Sequence, residues 1–390
     1  MAKRHGVEAR QIVCASLAGL SQFVVGCDDA TTVSQVRPRD VQTSRDRAEI
    51  KMPKELWVTS QGSSKIFIRN FENLSPIDKI DLPSGAGPHI ITFHSPHFAY
   101  VGGMTDGKVY VIDANTRQIA YSAQLAPTQV HQVKVSPDGA TALVSILDTK
   151  MVTKMSVDEA NRSWAVGLSL NIGATTGKRP VCTVFSADSK LAFVSLNPSG
   201  IAVVDVASMT LDSQIPTDGF IACGMVKSDA NHVVVASSGG GGHIYTLDMT
   251  TKTLTSRGVL GATSWHSLAI TADGTRGFGS SPLSDEVIVF DLTADSVKKV
   301  AALRFDQVPG PANKQPDAFG GGEPNYGNVL PVGLRAAGSV AIVNAHNLEL
   351  RSIVNLAPPA PFDPMTCGPV GAPTGSGGCA VHGVTPRPRQ

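Results

Sequence analysis

Four histidines occupy equivalent places in a repeated sequence pattern, and together their side chains could bind a metal ion. They are His89, His131, His266 and His382, and each opens a short, mostly apolar segment. Neutral imidazole is the commonest nitrogen ligand of copper and zinc, and a metal site needs three or more ligands that converge from different directions. We therefore predict that these four residues are metal ligands, with copper as the first candidate, provided that the fold arranges their segments around one axis.

The pattern that carries the histidines has a regular period. In each copy the opening segment leads through Ser-Pro-Asp-Gly, or a related turn, into two further apolar strands. The second of these strands closes the copy, at Asn70, Asp113, Ser156, Asp205, Asp248, Asp291 and Asn344. Four of the six intervals between these positions are 43 residues. A period of about 40 to 45 residues built from short strands predicts an all-β protein, a seven-bladed β-propeller whose channel the histidines would face.

The two ends of the chain predict how the ring of blades closes. The first recognisable strand, 56–59, matches the second strand of a blade and has no histidine segment before it. The missing first strand appears at the other end of the chain, at 382–388. Pairing the C-terminal strand with the N-terminal blade would close the propeller without open sheet edges. It also gives His382 the register of the other three histidines.

Two blades carry cysteine close to the histidine position. Cys182 and Cys223 align with Gln132 and Ser267, one residue after the histidine column. Because side chains alternate between the two faces of a strand, this offset turns the cysteines toward the packing between blades. We interpret both as small buried fillers. A β-bulge in these strands would reverse that orientation.

The seventh copy departs from the pattern. Its first strand must lie within the Gly- and Pro-rich stretch 308–328, where Asp317, Glu323 and Tyr326 are the polar candidates. A loop of this length is either a binding element or a solvated insertion.

Size and charge favour one domain and argue against a nucleic-acid partner. A chain of 390 residues is about what a single seven-bladed propeller needs beyond a short leader. Charged residues make up 17 % of the chain and the net charge is +1, so no field of one sign would attract nucleic acid.

The first 27 residues look like the signal of a bacterial lipoprotein. A basic start and a modest apolar stretch precede Cys27, which would be acylated and become the mature N-terminus. Residues 28–54 would then be a flexible tether and 55–390 the propeller. The pair Asp28-Asp29 resembles an inner-membrane retention signal, which places the protein in the periplasm on that membrane. The alternatives are a secreted protein, if Cys27 is not acylated, and a disordered cytoplasmic tail. In an oxidising compartment Cys367 and Cys379 could form a disulfide.

With these repeats, the chain resembles the YVTN-type seven-bladed propellers of bacterial surface and periplasmic proteins. The resemblance covers about residues 54–390 and rests on phrases such as the His-x-Val-x-Val-Ser-Pro-Asp-Gly of 131–139. This superfamily is similar to lactonase-type propellers and to the d-type haem propeller of periplasmic nitrite reductase. The resemblance implies the fold and leaves the function open, because the superfamily includes enzymes, cofactor carriers and proteins without known chemistry.

Three functions are compatible with the sequence. The first is a membrane-tethered propeller that binds copper, or a metal-bearing cofactor, at the channel mouth and has redox activity. The second is an envelope scaffold whose histidines only bond to neighbouring backbone and whose partner is an envelope protein or a small molecule. The third is a lactonase-like hydrolase that uses Asp317 or Glu323 as acid or base. The chain has no Cys-x-x-Cys-His motif, so we expect no covalent c-type haem.

Overall fold

The computed structural model describes residues 53–221, 223–271, 273–293, 295–310, 312–317, 329–356 and 381–389. The predicted signal at 1–27 lies outside this part of the chain, as do the predicted tether up to residue 52 and Glu323, Tyr326, Cys367 and Cys379. Within the described ranges no helix is both long and apolar enough to cross a membrane.

Seven sheets, each of four antiparallel strands, make up nearly all of the regular secondary structure in the described ranges. Blade 1 contains β1 (Glu55–Ser60), β2 (Lys65–Asn70) and β3 (Pro76–Asp81); blade 2 contains β4 (Pro88–Phe93), β5 (Phe98–Gly103), β6 (Lys108–Asp113) and β7 (Gln118–Gln124); blade 3 contains β8 (Val130–Val135), β9 (Thr141–Ile146), β10 (Met151–Asp158) and β11 (Ser163–Asn171). A short helix, α1 (Ile172–Thr176), follows. Blade 4 contains β12 (Arg179–Phe185), β13 (Leu191–Asn197), β14 (Ile201–Asp205) and β15 (Thr210–Ile215); blade 5 contains β16 (Met225–Lys227), β17 (His232–Ser237), a 3-10 turn (Gly239–Gly241), β18 (His243–Asp248) and β19 (Thr253–Val259). Blade 6 contains β20 (Leu268–Ile270), β21 (Arg276–Ser281), β22 (Glu286–Leu292) and β23 (Val297–Leu303); blade 7 contains β24 (Pro316–Asp317), β25 (Val329–Leu334), β26 (Ser339–Asn344) and β27 (Leu350–Asn355); and β28 (Val384–Pro386) returns to blade 1.

The propeller closes as the sequence predicts. Strand β28 pairs antiparallel with β1, with Val384 opposite Val58. Just before β28, the backbone N–H of His382 donates to the carbonyl oxygen of Thr59 at 3.0 Å. The predicted all-β, seven-bladed propeller, closed by pairing the two ends of the chain, is therefore confirmed.

The first strand of blade 7 is very short. Strand β24 lies inside the stretch in which we expected it and has only two residues, which pair with Leu334 and Gly333 of β25. Asp317 is thereby fixed at the inner edge of blade 7, where four other blades carry histidine.

Apolar side chains between neighbouring sheets hold the blades together. Between blades 1 and 2, the rings of Trp57 and Phe93 meet edge-on with centroids 5.3 Å apart. The inner strand β4 is buried along its whole length, whereas the outer strand β3 buries only Ile80. Because each fully buried large apolar side chain contributes about 1.5–3 kcal/mol, the inner strands that carry the candidate site form the most strongly anchored part of each blade.

A β-bulge changes the direction of side chains in three of the inner strands. In β12 the pairing register shifts between Pro180 and Thr183, so Val181 and Cys182 both lie opposite Ser195. The register shifts in the same way in β4 and β8, around the histidines of blades 2 and 3. Simple alternation of side chains fails across such a bulge.

Buried hydroxyl side chains on the second strands of three blades accept hydrogen bonds from backbone N–H groups of the inner strands. Ser195 Oγ accepts from the N–H of Cys182 at 3.0 Å, and Thr59 Oγ1 accepts from the N–H of Gly383 at 2.7 Å. Ser280 of blade 6 does the same for its inner strand. All three hydroxyl residues are fully buried. These hydrogen bonds replace part of the regular backbone ladder between the strands. They fix the backbone at or next to His382, Cys182 and His266.

A side chain at position 383 would collide with blade 2. A Cβ there would lie 2.6 Å from the carbonyl oxygen of His89 and 3.0 Å from Thr59 Oγ1. We expect Gly383→Ala to lower the free energy of unfolding by about 1–3 kcal/mol in a denaturant titration. Gly167→Ala in β11, where the nearest atom to a Cβ would be 3.4 Å away, is the control and should cost no more than about 0.5 kcal/mol. If both variants lost the same free energy of unfolding, position 383 would not be in tight contact with blade 2.

Candidate metal centre

One residue of a type that can bind a metal lies at the inner strand of each blade. Together these seven residues form a ring. In blade order the members of this ligand ring are His382, His89, His131, Cys182, Cys223, His266 and Asp317. Every member is buried, with no residue more than 6 % exposed. The ligand ring has two parts. The histidine cluster consists of the four histidines and Asp317, and the cysteine pair consists of Cys182 and Cys223.

The histidine cluster brings together all four residues of the predicted column. The ring centroid of His89 lies 3.7 Å from that of His382 and 4.4 Å from that of His131. The centroids of His382 and His266 are 5.4 Å apart. Asp317 Oδ2 lies 3.1 Å from His266 Nδ1, at ion-pair distance although not aligned as a hydrogen bond. That these residues bind a metal stays a prediction.

The cysteine pair occupies the arc between His131 and His266. Cys182 and Cys223 are joined as a disulfide, and Cys182 Sγ lies 3.9 Å from His131 Nδ1. The N–H of Cys223 donates to the carbonyl oxygen of His266 at 3.1 Å, which joins this arc to the histidine cluster. The seven residues therefore form a closed circuit of contacts.

The interpretation of the two cysteines as separate fillers is wrong. They are buried, and they do follow the histidine column by one residue, but they bond to each other beside His131. For Cys182 the cause is the bulge in β12, which removes the alternation that the interpretation assumed. Cys223 precedes the regular strand β16 and is held by an isolated bridge to Ser267.

One ring nitrogen of His131 and one of His89 are held by neighbours. His131 Nδ1 donates to the carbonyl oxygen of Val181 at 3.0 Å. The Gln61 side-chain amide lies 2.5 Å from His89 Nδ1. Such contacts orient an imidazole, and they leave Nε2 of each ring as the nitrogen available to a ligand.

Several polar atoms of the cluster lack a hydrogen-bond partner within the described part of the chain. They are His89 Nε2, both ring nitrogens of His382, His266 Nδ1 and Asp317 Oδ2. Buried polar groups are nearly always hydrogen-bonded, because each one left unsatisfied costs about 1–3 kcal/mol. Their concentration in one cluster makes this the place in the described structure where a ligand or an ordered water could supply the missing partners.

Burial keeps the imidazoles of His89, His131 and His382 neutral. Loss of contact with water lowers the pKa of His131 to about 3 and lowers the pKa values of His89 and His382 well below their usual range. Positive charge on neighbouring histidines and on Arg335 acts in the same direction. Because a neutral imidazole has a free lone pair, these rings can bind a metal without first losing a proton at neutral pH.

Asp317 supplies negative charge to the cluster. Burial alone would raise the pKa of its carboxyl, but the charge and contact of His266 and the charge of Arg335 together lower it. Arg335 is also fully buried. The ionised carboxylate and the guanidinium offset each other, so the site carries little net charge before a metal binds.

Asp317 is better placed as part of this cluster than as a hydrolytic acid or base. Its side chain is fully buried and lies against His266, with Ser280 Oγ 3.4 Å away. Of the six histidines outside the predicted column, the five that fall in the described ranges are exposed or half-buried, and they are His94, His97, His232, His243 and His346.

One sequence signal could have drawn attention to Cys182. The second strands of blades 1, 4 and 6 carry a hydroxyl residue, Thr59, Ser195 and Ser280, that bonds the inner-strand backbone one residue after the column. A hydroxyl at this place indicates that the backbone ladder is interrupted. The direction of the nearby side chain then cannot be predicted from strand alternation.

Comparison with known proteins supports the fold alone. No family model and no curated protein matches the chain. A functionally unknown protein from Desulfotomaculum acetoxidans is 13 % identical with a TM-score of 0.61, over 85 % of this chain and 99 % of that one. The dihydro-haem d1 dehydrogenase NirN, solved in complex with DHE, is 17 % identical with a TM-score of 0.54, over 84 % and 78 %. A putative 6-phosphogluconolactonase from Bacteroides fragilis is 15 % identical with a TM-score of 0.53, over 64 % and 81 %. A dehydrogenase, a putative lactonase and a protein of unknown function thus share this architecture with the chain, which shows the fold and no more.

Proposed function

We propose that this protein is a metal-binding propeller that holds a copper ion among the imidazoles of His89, His131, His266 and His382. The observation that carries the proposal is the convergence of four buried imidazoles, several with unpartnered nitrogens, beside a carboxylate. One ligand atom each of His266, His382 and Asp317 already lies within 4.8 Å of the others. Ligand atoms around one ion are about 3–4 Å apart, so small movements of side chains complete a site.

The donor set favours copper. Imidazole suits copper, zinc, iron and nickel, and among divalent first-row ions copper binds most tightly. Magnesium and calcium prefer oxygen ligands, of which the group of His266, Asp317 and His382 offers one carboxylate. Because the buried Arg335 adds positive charge nearby, the site tolerates Cu⁺ as well as Cu²⁺, and a change between the two would give it redox activity.

We propose a bare ion in preference to a metal-bearing cofactor. The centroids of neighbouring imidazoles are only 3.7–5.4 Å apart, which leaves no space for a macrocycle between them. A single ion with bonds of about 2.0–2.3 Å fits between such rings after small rotations.

We also propose that the protein works in the periplasm, anchored to the inner membrane by a lipid on Cys27. The leader pattern supports this location, and so does the disulfide, because disulfides persist in oxidising compartments. The expected partner is an envelope protein or a small molecule. Incorporation of labelled fatty acid should be lost in Cys27→Ser, and equal labelling of that variant and the wild type would contradict the anchor.

Metal analysis of the purified full chain tests the proposed metal site. We expect copper bound in equimolar amount by the wild type and lost from the double variant His89→Ala/His382→Ala, which removes two central imidazoles. The control His94→Ala/His346→Ala removes two exposed histidines and should retain the copper. Equal copper in the two double variants, or none in the wild type after loading, would contradict the site and favour a scaffold function.

A further inference from the structure

The cysteine pair and one imidazole have the geometry of a second ligand set. The sulfur atoms of Cys182 and Cys223 and a ring nitrogen of His131 all lie within 4.8 Å of one another. The three residues come from three consecutive blades and are at most 6 % exposed. Two sulfurs and one nitrogen are donors that suit soft metal ions once the sulfurs are thiolates.

The surroundings of the pair are apolar. Ile90 and Val181 pack in one buried cluster with the two cysteines, and the partly buried Leu147 and Phe220 pack against it. Apolar walls disfavour strongly hydrated ions, because such ions give up water reluctantly and find few oxygen ligands here. Cu⁺ is soft, carries a single charge and binds thiolates well, so it suits this setting best among the common ions.

We propose that Cys182, Cys223 and His131 form a second metal site, selective for Cu⁺, which opens when the disulfide is reduced. A dithiol reductant supplies two electrons and two protons, so the S–S bond breaks, two thiols form, and the reductant becomes a cyclic disulfide. Cu⁺ then binds the two sulfurs and displaces their two protons. While the disulfide is intact, the sulfurs are bonded to each other and the site is closed.

His131 is shared between the two sites through its two ring nitrogens. In the disulfide form Nδ1 donates to the carbonyl oxygen of Val181 at 3.0 Å, and Nε2 is left for the histidine cluster. Binding of Cu⁺ at Nδ1 moves the ring proton to Nε2 and breaks that hydrogen bond. The histidine cluster then retains His89, His266, His382 and Asp317, which suffice for an ion. Reduction therefore adds capacity for copper at a second place.

Titration of the full chain with Cu⁺, in competition with a chromogenic chelator and without oxygen, tests the inference. One sample keeps the disulfide, and the other is reduced with a dithiol that is then removed. We expect the reduced protein to bind one more Cu⁺ than the disulfide form, with copper–sulfur bonds in X-ray absorption. The added ion should be lost in Cys182→Ser and in Cys223→Ser.

The control is the second cysteine pair at 367 and 379. The variant Cys367→Ser/Cys379→Ser also loses two sulfurs and should still bind the added Cu⁺. Equal binding by reduced and oxidised protein would overturn the inference, as would an added ion that survives in Cys182→Ser. Loss of the β-sheet circular dichroism spectrum on reduction would overturn it too, since the site needs a folded propeller.

This inference and the proposed function can fail separately. A sulfur-bound ion in the reduced protein, with no copper in the disulfide form, would support the thiolate site and remove the histidine site. Copper in the disulfide form with no gain on reduction would do the opposite. His131→Gln should weaken binding of the added ion at least tenfold while Cys182 and Cys223 still reduce normally.

Discussion

The metal-free protein is expected to lose several kcal/mol of its free energy of unfolding between pH 8 and pH 5. In the unfolded chain each histidine takes up a proton below a pH of about 6.5. In the folded protein the rings of His89, His131 and His382 resist protonation, and the pKa of His131 is about 3. The stability is therefore fully present above pH 6.5 and is lost as the pH falls toward the lowered pKa values. Because native proteins have about 5–15 kcal/mol in total, mild acid should bring the protein closer to unfolding.

Denaturant titrations at several pH values, in the presence of a chelator, measure this dependence. His382→Gln removes one of the three imidazoles and should reduce the slope by about 1.4 kcal/mol per pH unit. His346→Gln changes an exposed residue and should leave the slope as it is in the wild type. A wild-type slope no steeper than that of His382→Gln would show that the rings are not held neutral.

The variant Asp317→Asn is expected to weaken copper binding about 10- to 100-fold. The carboxylate lies 3.1 Å from His266 Nδ1 and provides the negative charge beside the buried Arg335. Asparagine keeps the size of the side chain but removes this charge, so less negative charge offsets the incoming cation. Loss of one partner from such a buried set should also lower the free energy of unfolding by about 3–5 kcal/mol.

Asp291→Asn is the matched control. Asp291 pairs with Arg276 at 3.1 Å on the surface, with its side chain 47 % exposed. Removing an exposed pair costs at most about 1 kcal/mol and should not change copper affinity. Competition with a copper chelator measures the copper affinity of both variants, and denaturant titration measures their free energy of unfolding. If Asp317→Asn binds copper as tightly as the wild type, Asp317 plays no part in the site.

The fold and the histidine column could be predicted because both follow from repetition. The seven copies of the repeat give the number of blades, and the strand near residue 384 completes the sheet that begins at residue 55. His89, His131, His266 and His382 fall at equivalent places in that repeat, so their convergence follows from the radial symmetry of a propeller. Local sequence and overall fold agree at these positions.

Repetition and alternation alone do not predict the rest of the ligand ring, because local backbone geometry overrides the pattern there. Alternation places Cys182 between blades, but the bulge in β12 turns it toward His131. Asp317 is one of the three polar candidates that the sequence offers for the inner strand of blade 7, but that strand has only two residues, too few for a periodicity to select it over Glu323 and Tyr326. Both departures lie at the candidate site, where irregular backbone is most often found.

Anomalous X-ray scattering on both sides of the copper absorption edge, from crystals of the copper-loaded protein, tests the central claim most directly. We expect a peak inside the ligand ring, within about 2.0–2.3 Å of at least three of the side chains of His89, His131, His266, His382 and Asp317. Copper bound only at exposed residues, or a loaded crystal whose ring residues surround no peak, would contradict the claim that this propeller holds a metal at its centre.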